Sequence, residues 1–224
     1  MKGSVEMKMV ELTLPGMEDY FTQEAYKVLR TNLQFCGQDI RVIAVTSYNE
    51  NEGKSTVALH IGKSFAELGK NVLVIDADMR KSVMAGRNTS VRGVKGLSEV
   101  LTGMSRLDEC VYRCQVDRLH ILFAGQYPPN PVELLDGKQF SALMNGVRGT
   151  FDYVIVDTPP LGQVIDAAVI TANCDGAIMV LGNGKVRQRQ AKEVVDQIRK
   201  SGCKVLGVVK NGTKKTNKAY YRTK

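Results

Sequence analysis

Short apolar runs ending in charged or hydroxyl residues recur along this chain, separated by amphipathic stretches. RVIAVTS (41–47), NVLVIDAD (71–78), YVIVDTPP (153–160), GAIMVLG (176–182) and KVLGVVKN (204–211) each read as a strand with few charges. A strand apolar on both alternating faces is buried on both, which marks a parallel sheet covered by helices on either side. The connections suit that role. STVALHIGKSFAELG (55–69), KQFSALMNGV (138–147), a stretch around 164–173 and another over 186–201 read as helices, and the strand LHILFAG (119–125) follows a further helical region. Ahead of the sheet, apolar residues at 21, 25, 28, 29 and 33 define one face of a helix over 21–35.

The expected fold is therefore α/β, a mostly parallel sheet with helices on both faces. The chain has 224 residues, enough for one well-buried domain, placed at 21–211. Residues 1–20 lack periodicity and contain Pro15-Gly16, so they are expected to form a flexible arm. The end, GTKKTNKAYYRTK (212–224), has nothing to bury and is expected to be a disordered basic tail.

Composition narrows the function classes. With 43% hydrophobic and 24% charged residues, the chain is that of an ordinary globular protein. No apolar run approaches the ~18–20 residues that span a bilayer, and MKGSVEMKMVELTL lacks the apolar core of a signal peptide. A cytosolic protein is expected. Five scattered cysteines, with His60 and His120 as the only histidines, argue for reduced, buried thiols over zinc, although Cys110 and Cys114 can share a helical face. From Lys185 onward there are thirteen Lys/Arg and two acids, a net of +11, against −3 for the rest. That basic end predicts an acidic partner or an anionic membrane leaflet, or else a solvated tail. No nucleic-acid motif is present, so none is expected as a partner.

Three motifs lie at strand ends, where sheets of this kind bind ligands. TSYNENEGKST (46–56) ends as a phosphate-binding loop, in the required strand–loop–helix setting, although Tyr48 stands where the common pattern has its first glycine. Its backbone N–H groups and the helix N-terminus then face phosphates, with Lys54 on the β/γ oxygens and Ser55 on Mg²⁺. In VLVIDADMR (72–80), Asp76 and Asp78 leave an apolar strand two residues apart, and their carboxylates can converge on one cation or acceptor. Asp157 ends YVIVD, which suits a carboxylate ordering the water shell of Mg²⁺. Together they predict a Mg-nucleotide site.

These motifs resemble those of the bacterial tyrosine kinases of capsule and exopolysaccharide systems, which carry a deviant Walker A, a Walker A′ of the DxDxR type and a Walker B ending in DTPP. QEAYKVLRTNLQF (23–35) and AGQYPPNPVELL (124–135) are similar to the same family, and the likeness runs from about residue 20 to 211. The resemblance implies a P-loop fold related to MinD and ParA, and an ATP- and Mg²⁺-dependent kinase that phosphorylates tyrosines in the C-terminal tail of a neighbouring subunit, here Tyr220 and Tyr221. Implied nucleotide contacts are Asn49, Glu50, Asn51, Glu52, Gly53, Lys54, Ser55, Thr56 and Asn211, the last on the base. Lys54, Asp76, Asp78 and Asp157 are the implied catalytic residues, with Asp76 taking the tyrosine proton. Ser55, Asp76 and Asp157 are the implied metal site. Glu24, Lys27 and Arg30 occupy the positions that form a homo-oligomeric ring in the family.

The resemblance further implies other tyrosine-containing protein substrates and an activating partner, the cytoplasmic tail of a membrane-anchored polysaccharide co-polymerase. The kinase would then sit at the inner face of the cell membrane. Glu50 and Asn51 replace the family's Pro-Gly, which predicts a loop less suited to positive φ, and Glu50 and Glu52 predict weaker ATP binding unless both point outward. Two other readings remain: a MinD/ParA-like ATPase switch, whose early loop lysine is Asn49 here, and a nucleotide-gated adaptor without kinase activity.

Overall fold

The computed structural model describes residues 7–89, 91, 93–182 and 186–212. Eight strands form one sheet in the order β1-β4-β5-β3-β6-β2-β7-β8. In chain order, β1 (Met9–Val10) and α1 (Tyr20–Phe35) precede β2 (Val42–Ser47), α2 (Lys54–Glu67) and β3 (Val72–Asp76). Three short helices follow, α3 (Met84–Asn88), α4 (Leu97–Leu101) and α5 (Leu107–Cys110), then β4 (Val111–Cys114) and β5 (Leu119–Leu122). The last part holds α6 (Pro131–Asp136), α7 (Lys138–Thr150), β6 (Tyr153–Asp157), α8 (Asp166–Thr171), β7 (Gly176–Leu181), α9 (Gln188–Lys200) and β8 (Lys204–Lys210). From β5 to β8 the neighbouring strands pair in parallel, as the double-sided apolar runs require.

The alternation within each strand feeds two cores. Ile43, Val45, Val72, Val74 and Ile155 pack with Val57, Ile61 and Phe65 of α2 and Leu33 of α1. On the opposite face Leu73, Ile75, Val154 and Val156 pack with Phe140, Met144 and Val147 of α7, while Ala44, Ala177 and Met179 meet Val194 and Ile198 of α9. Gly62 lets α2 lie close on the sheet, because a Cβ there would stand 2.6 Å from Val74 Cγ2. That contact seats the helix carrying the phosphate loop directly over β3 and β6.

Two expectations need correction. The segment before Tyr20 is not loose over its described part: Val10, Leu12 and Leu14 are buried, β1 pairs with β4, and the Leu12 backbone exchanges two hydrogen bonds with the Gln115 amide. Its MVELTL run alternates apolar and polar residues, the period of a strand. Cys110 and Cys114 share no helical face, since Cys110 closes α5 and Cys114 ends β4; all five cysteines are free thiols. The sheet is mostly parallel, as expected, with β4 antiparallel to β5 as the exception among the described strand pairs. Apart from Gly212, the 212–224 tail with Tyr220 and Tyr221 lies outside the described residues. No helix among the described residues is long and apolar enough to cross a membrane.

Candidate nucleotide and phosphoryl-transfer site

Beyond the carboxyl ends of β2 and β3 lies a cleft of about 500 Å³, lined by Glu50, Asn51, Gly53 to Thr56, Asp76, Asp78, Lys81 and Ser82, with Pro15 and Arg87 also contributing. The phosphate loop is shaped by its backbone. Gly53 (φ 89°) is the N-cap of α2 and Asn51 has φ 58°, so both lie in the left-handed region. Asparagine tolerates that region better than most side chains, which answers the expectation of an ill-suited loop. Gly53 is also a point of contact: a Cβ there would fall 2.0 Å from Asn211 Nδ2. Asn211 donates through Nδ2 to the Glu52 carbonyl at 3.0 Å, and its own amide donates to the Leu181 carbonyl at 2.8 Å. The end of β8 is thereby hooked onto the loop.

The two loop glutamates differ. Glu52 is buried and turned inward, where its Oε2 accepts from the Tyr48 and Asn49 amides, both at 3.1 Å. It ties the start of the loop to its end, and neither it nor Asn49 lines the cleft. Glu50 does line the cleft and pairs with Lys81 Nζ at 2.7 Å, so its charge is offset. The Tyr48 ring lies against Gly162 rather than over the cleft.

Two of the acidic residues meet at one edge of the sheet. Asp76 and Asp157 are register partners at the ends of β3 and β6, and both are buried. Burial lifts the Asp157 carboxyl to about 7, against the opposing pull of the Lys54 ammonium and the Ser55 hydroxyl. Asp76 rises well above the usual carboxylate range, first through burial and then through the charge of Asp157. Asp157 Oδ1 is buried and accepts no hydrogen bond. Two buried carboxylates, one with an orphaned oxygen, beside a lysine and a hydroxyl at a helix N-terminus fit a divalent cation and the phosphates it accompanies.

Asp78 is less buried, and its Oδ1 accepts from the Arg80 and Lys81 amides at 3.3 and 3.0 Å, shaping the loop after β3. Arg80 forks onto Asp166 at the start of α8, Nε to Oδ2 at 2.7 Å and Nη2 to Oδ1 at 3.0 Å. Glu24, Lys27 and Arg30 stand outside this cleft on α1: Glu24 and Lys27 pair with each other at 2.8 Å, and Arg30 Nη1 donates to the Ser64 carbonyl at 2.7 Å. Sequence reasoning missed the inward turn of Glu52 and the parts played by Asp166, Lys81 and Ser82. For Arg80 the DxDxR pattern was a signal, but nothing local announced its partner 86 residues away.

A strand–loop–helix phosphate cradle with two buried strand-end carboxylates defines a P-loop nucleotide-binding protein. A family model described as AAA domain matches residues 40–201. The chain is 41% identical over 189 residues to a tyrosine-protein kinase CpsD of Streptococcus pneumoniae, covering 84% of this chain and 83% of that one. It is 35% identical to the tyrosine-protein kinase YwqD of Bacillus subtilis, over 100% of this chain and 95% of the relative. The crystal structure of the chimerical protein CapA2B2 superposes with a TM-score of 0.84 at 26% identity, over 93% and 95% of the two chains. A MinD from Pyrococcus horikoshii complexed with Mg-ADP shares the fold (TM-score 0.62, 23% identity, 75% and 69% covered). The chain belongs to the P-loop family of bacterial protein-tyrosine kinases.

Proposed function

We propose that this kinase transfers the γ-phosphoryl group of ATP to Tyr220 and Tyr221 in the tail of a neighbouring copy, and thereby regulates capsule or exopolysaccharide synthesis and export. The observation that carries the reading is the pairing of Asp76 with Asp157 beside Lys54 and Ser55, a constellation that holds phosphates on one side and a proton acceptor on the other. Lys54 holds the β/γ oxygens, and the amides after Gly53 face the same charge. Ser55 and Asp157, with Asp76, would hold Mg²⁺, which supplies charge neutralisation at the phosphates. Asp76 accepts the proton of the tyrosine hydroxyl as its oxygen bonds the γ-phosphorus and the bond to the departing ADP oxygen breaks. Asn211, bonded to the Glu52 carbonyl, would contact the base in this reading.

In this reading Glu24, Lys27 and Arg30 join copies into a ring, and other tyrosine-containing proteins serve as further substrates. The cytoplasmic tail of a membrane-anchored co-polymerase-type protein docks on the chain and activates it at the inner face of the membrane. Support for the partner is the +11 end together with the likeness to CapA2B2. The test is intact mass and peptide mapping after incubation with ATP and Mg²⁺, with and without such a tail, beside Lys54→Met. Phosphate on Tyr220 or Tyr221 that is absent from the variant is expected. No phosphate under either condition would favour a nucleotide-gated adaptor instead.

A further inference from the structure

Nucleotide binding gives no reason for the proline-rich segment 124–135, yet the structure connects it to the acidic strand end. Tyr127 is 62% exposed, but its hydroxyl donates to the Ser82 carbonyl at 3.0 Å. Ser82 in turn donates its own hydroxyl to Asp76 Oδ2. Behind Tyr127 the segment is anchored by Glu99 of α4, whose buried carboxylate accepts the Gly96 amide at 2.6 Å and the Gln126 amide at 3.1 Å. A continuous hydrogen-bonded path therefore leads from α4 through residues 126–127 to the carboxylate of Asp76.

That carboxylate needs outside help to hold one orientation. The torsion that turns it is broad and roughly two-fold. Among the described residues its other oxygen accepts only the Asp78 amide, at a long 3.2 Å. Its strand partner Asp157 repels it. Ser82 lies in the irregular stretch between β3 and α3, so its hydroxyl is placed only as well as its backbone. The Tyr127 bond ties that backbone to a separate part of the fold.

We propose that Ser82 and Tyr127 are positioning residues for Asp76: Tyr127 fixes the backbone of Ser82, and Ser82 fixes the carboxylate that receives the tyrosine proton. The proline-rich segment thereby governs the transfer step rather than nucleotide affinity. This inference rests on the kinase reading above, in which Asp76 is the proton acceptor. Misplacement of a reacting group by about 1 Å costs on the order of a hundredfold in rate, so a carboxylate that has lost one of its two tethers is expected to lose about tenfold.

The experiment compares Ser82→Ala, Ser82→Thr, Tyr127→Phe and the double variant Ser82→Ala/Tyr127→Phe with the unaltered full-length chain. Autophosphorylation gives kcat and the KM for ATP, and a fluorescent ADP gives nucleotide affinity independently. Ser82→Ala and Tyr127→Phe are expected to lower kcat about tenfold and severalfold, respectively, with ADP affinity unchanged. Ser82→Thr, which keeps the hydroxyl, restores most of the rate, and the double variant is no worse than Ser82→Ala alone. An active parent with an equally active Ser82→Ala, or losses that follow ADP affinity, overturns the positioning role and leaves the kinase reading intact. A parent that transfers no phosphate even with its activating tail overturns the kinase reading, and this inference with it.

Discussion

Asp76 and Asp157 stand opposite each other as register partners at the ends of β3 and β6, two buried carboxylates with no cation directly bonded to Asp76 among the described residues. Like charges so placed repel, and burial raises the cost of each. The pair therefore carries a strain that a divalent cation would relieve.

Removing one carboxylate should stabilise the empty protein. The Asp76 carboxyl is lifted in the folded state above its unfolded value near 3.8, so the folded chain keeps a proton that the unfolded chain releases. Stability is then fully present below that unfolded value and falls as pH rises through the raised folded one. At pH 8, Asp76→Asn is expected to raise the melting temperature by about 2–4 °C or more, with the gain shrinking towards pH 4, while phosphoryl transfer is lost. Thermal unfolding across that range checks it, and a variant less stable than the parent at pH 8 would contradict the electrostatic account.

Gly53→Ala meets two obstacles at once, a left-handed φ and the Asn211 amide 2.0 Å away. The loop or the end of β8 has to shift. Nucleotide affinity should fall about tenfold or more, whereas Asn51→Gly, which suits its φ of 58°, should retain it. Titration with a fluorescent ADP distinguishes the two.

Arg80→Ala leaves the carboxylate of Asp166, 1% exposed, without its bidentate cation. An uncompensated buried charge costs several kcal/mol, with a ceiling of about 3–5 for a fully buried pair, and less here because Arg80 is 41% exposed. Chemical denaturation should show a loss of about 1–3 kcal/mol. Arg80→Lys recovers only part of it, since lysine lacks the fork. Equal stability of parent and Arg80→Ala would mean the pair does not hold α8 to the loop after β3.

Tyr220→Phe combined with Tyr221→Phe should leave ADP binding unchanged and remove most phosphate incorporation. Peptide mapping of that variant after reaction with ATP checks this directly. Undiminished incorporation would place the acceptor elsewhere in the chain.

The site was legible because its residues end apolar runs: a strand announces itself by composition, and the first polar residue after it must emerge at the sheet edge. Asp76 and Asp157 were found that way, and Lys54 and Ser55 through the Gly-Lys-Ser pattern between a strand and a helix. What the sequence concealed depends on register and on distant contact. That Asp76 faces Asp157 follows from strands 3 and 6 being neighbours, which no local pattern states. Glu52 read as a charge beside phosphate, yet it turned inward because two loop amides needed an acceptor. β1 escaped notice for a different reason. Its two residues are too short to register as a strand, although the alternation of Val10, Leu12 and Leu14 was there to be read.

Asn211 gives the molecule a leash. The residue that steadies the phosphate loop is also the last before the segment bearing Tyr220 and Tyr221. Tyr220 lies nine chain steps beyond Asn211, and an extended chain covers at most ~3.3–3.6 Å per step, or about 30 Å in all. If Tyr220 and Tyr221 are the acceptors, as proposed, an encounter that phosphorylates them on another copy has to bring the two clefts within that short reach. A ring of copies, as proposed, would then tell a neighbour from a stranger by arm's length alone.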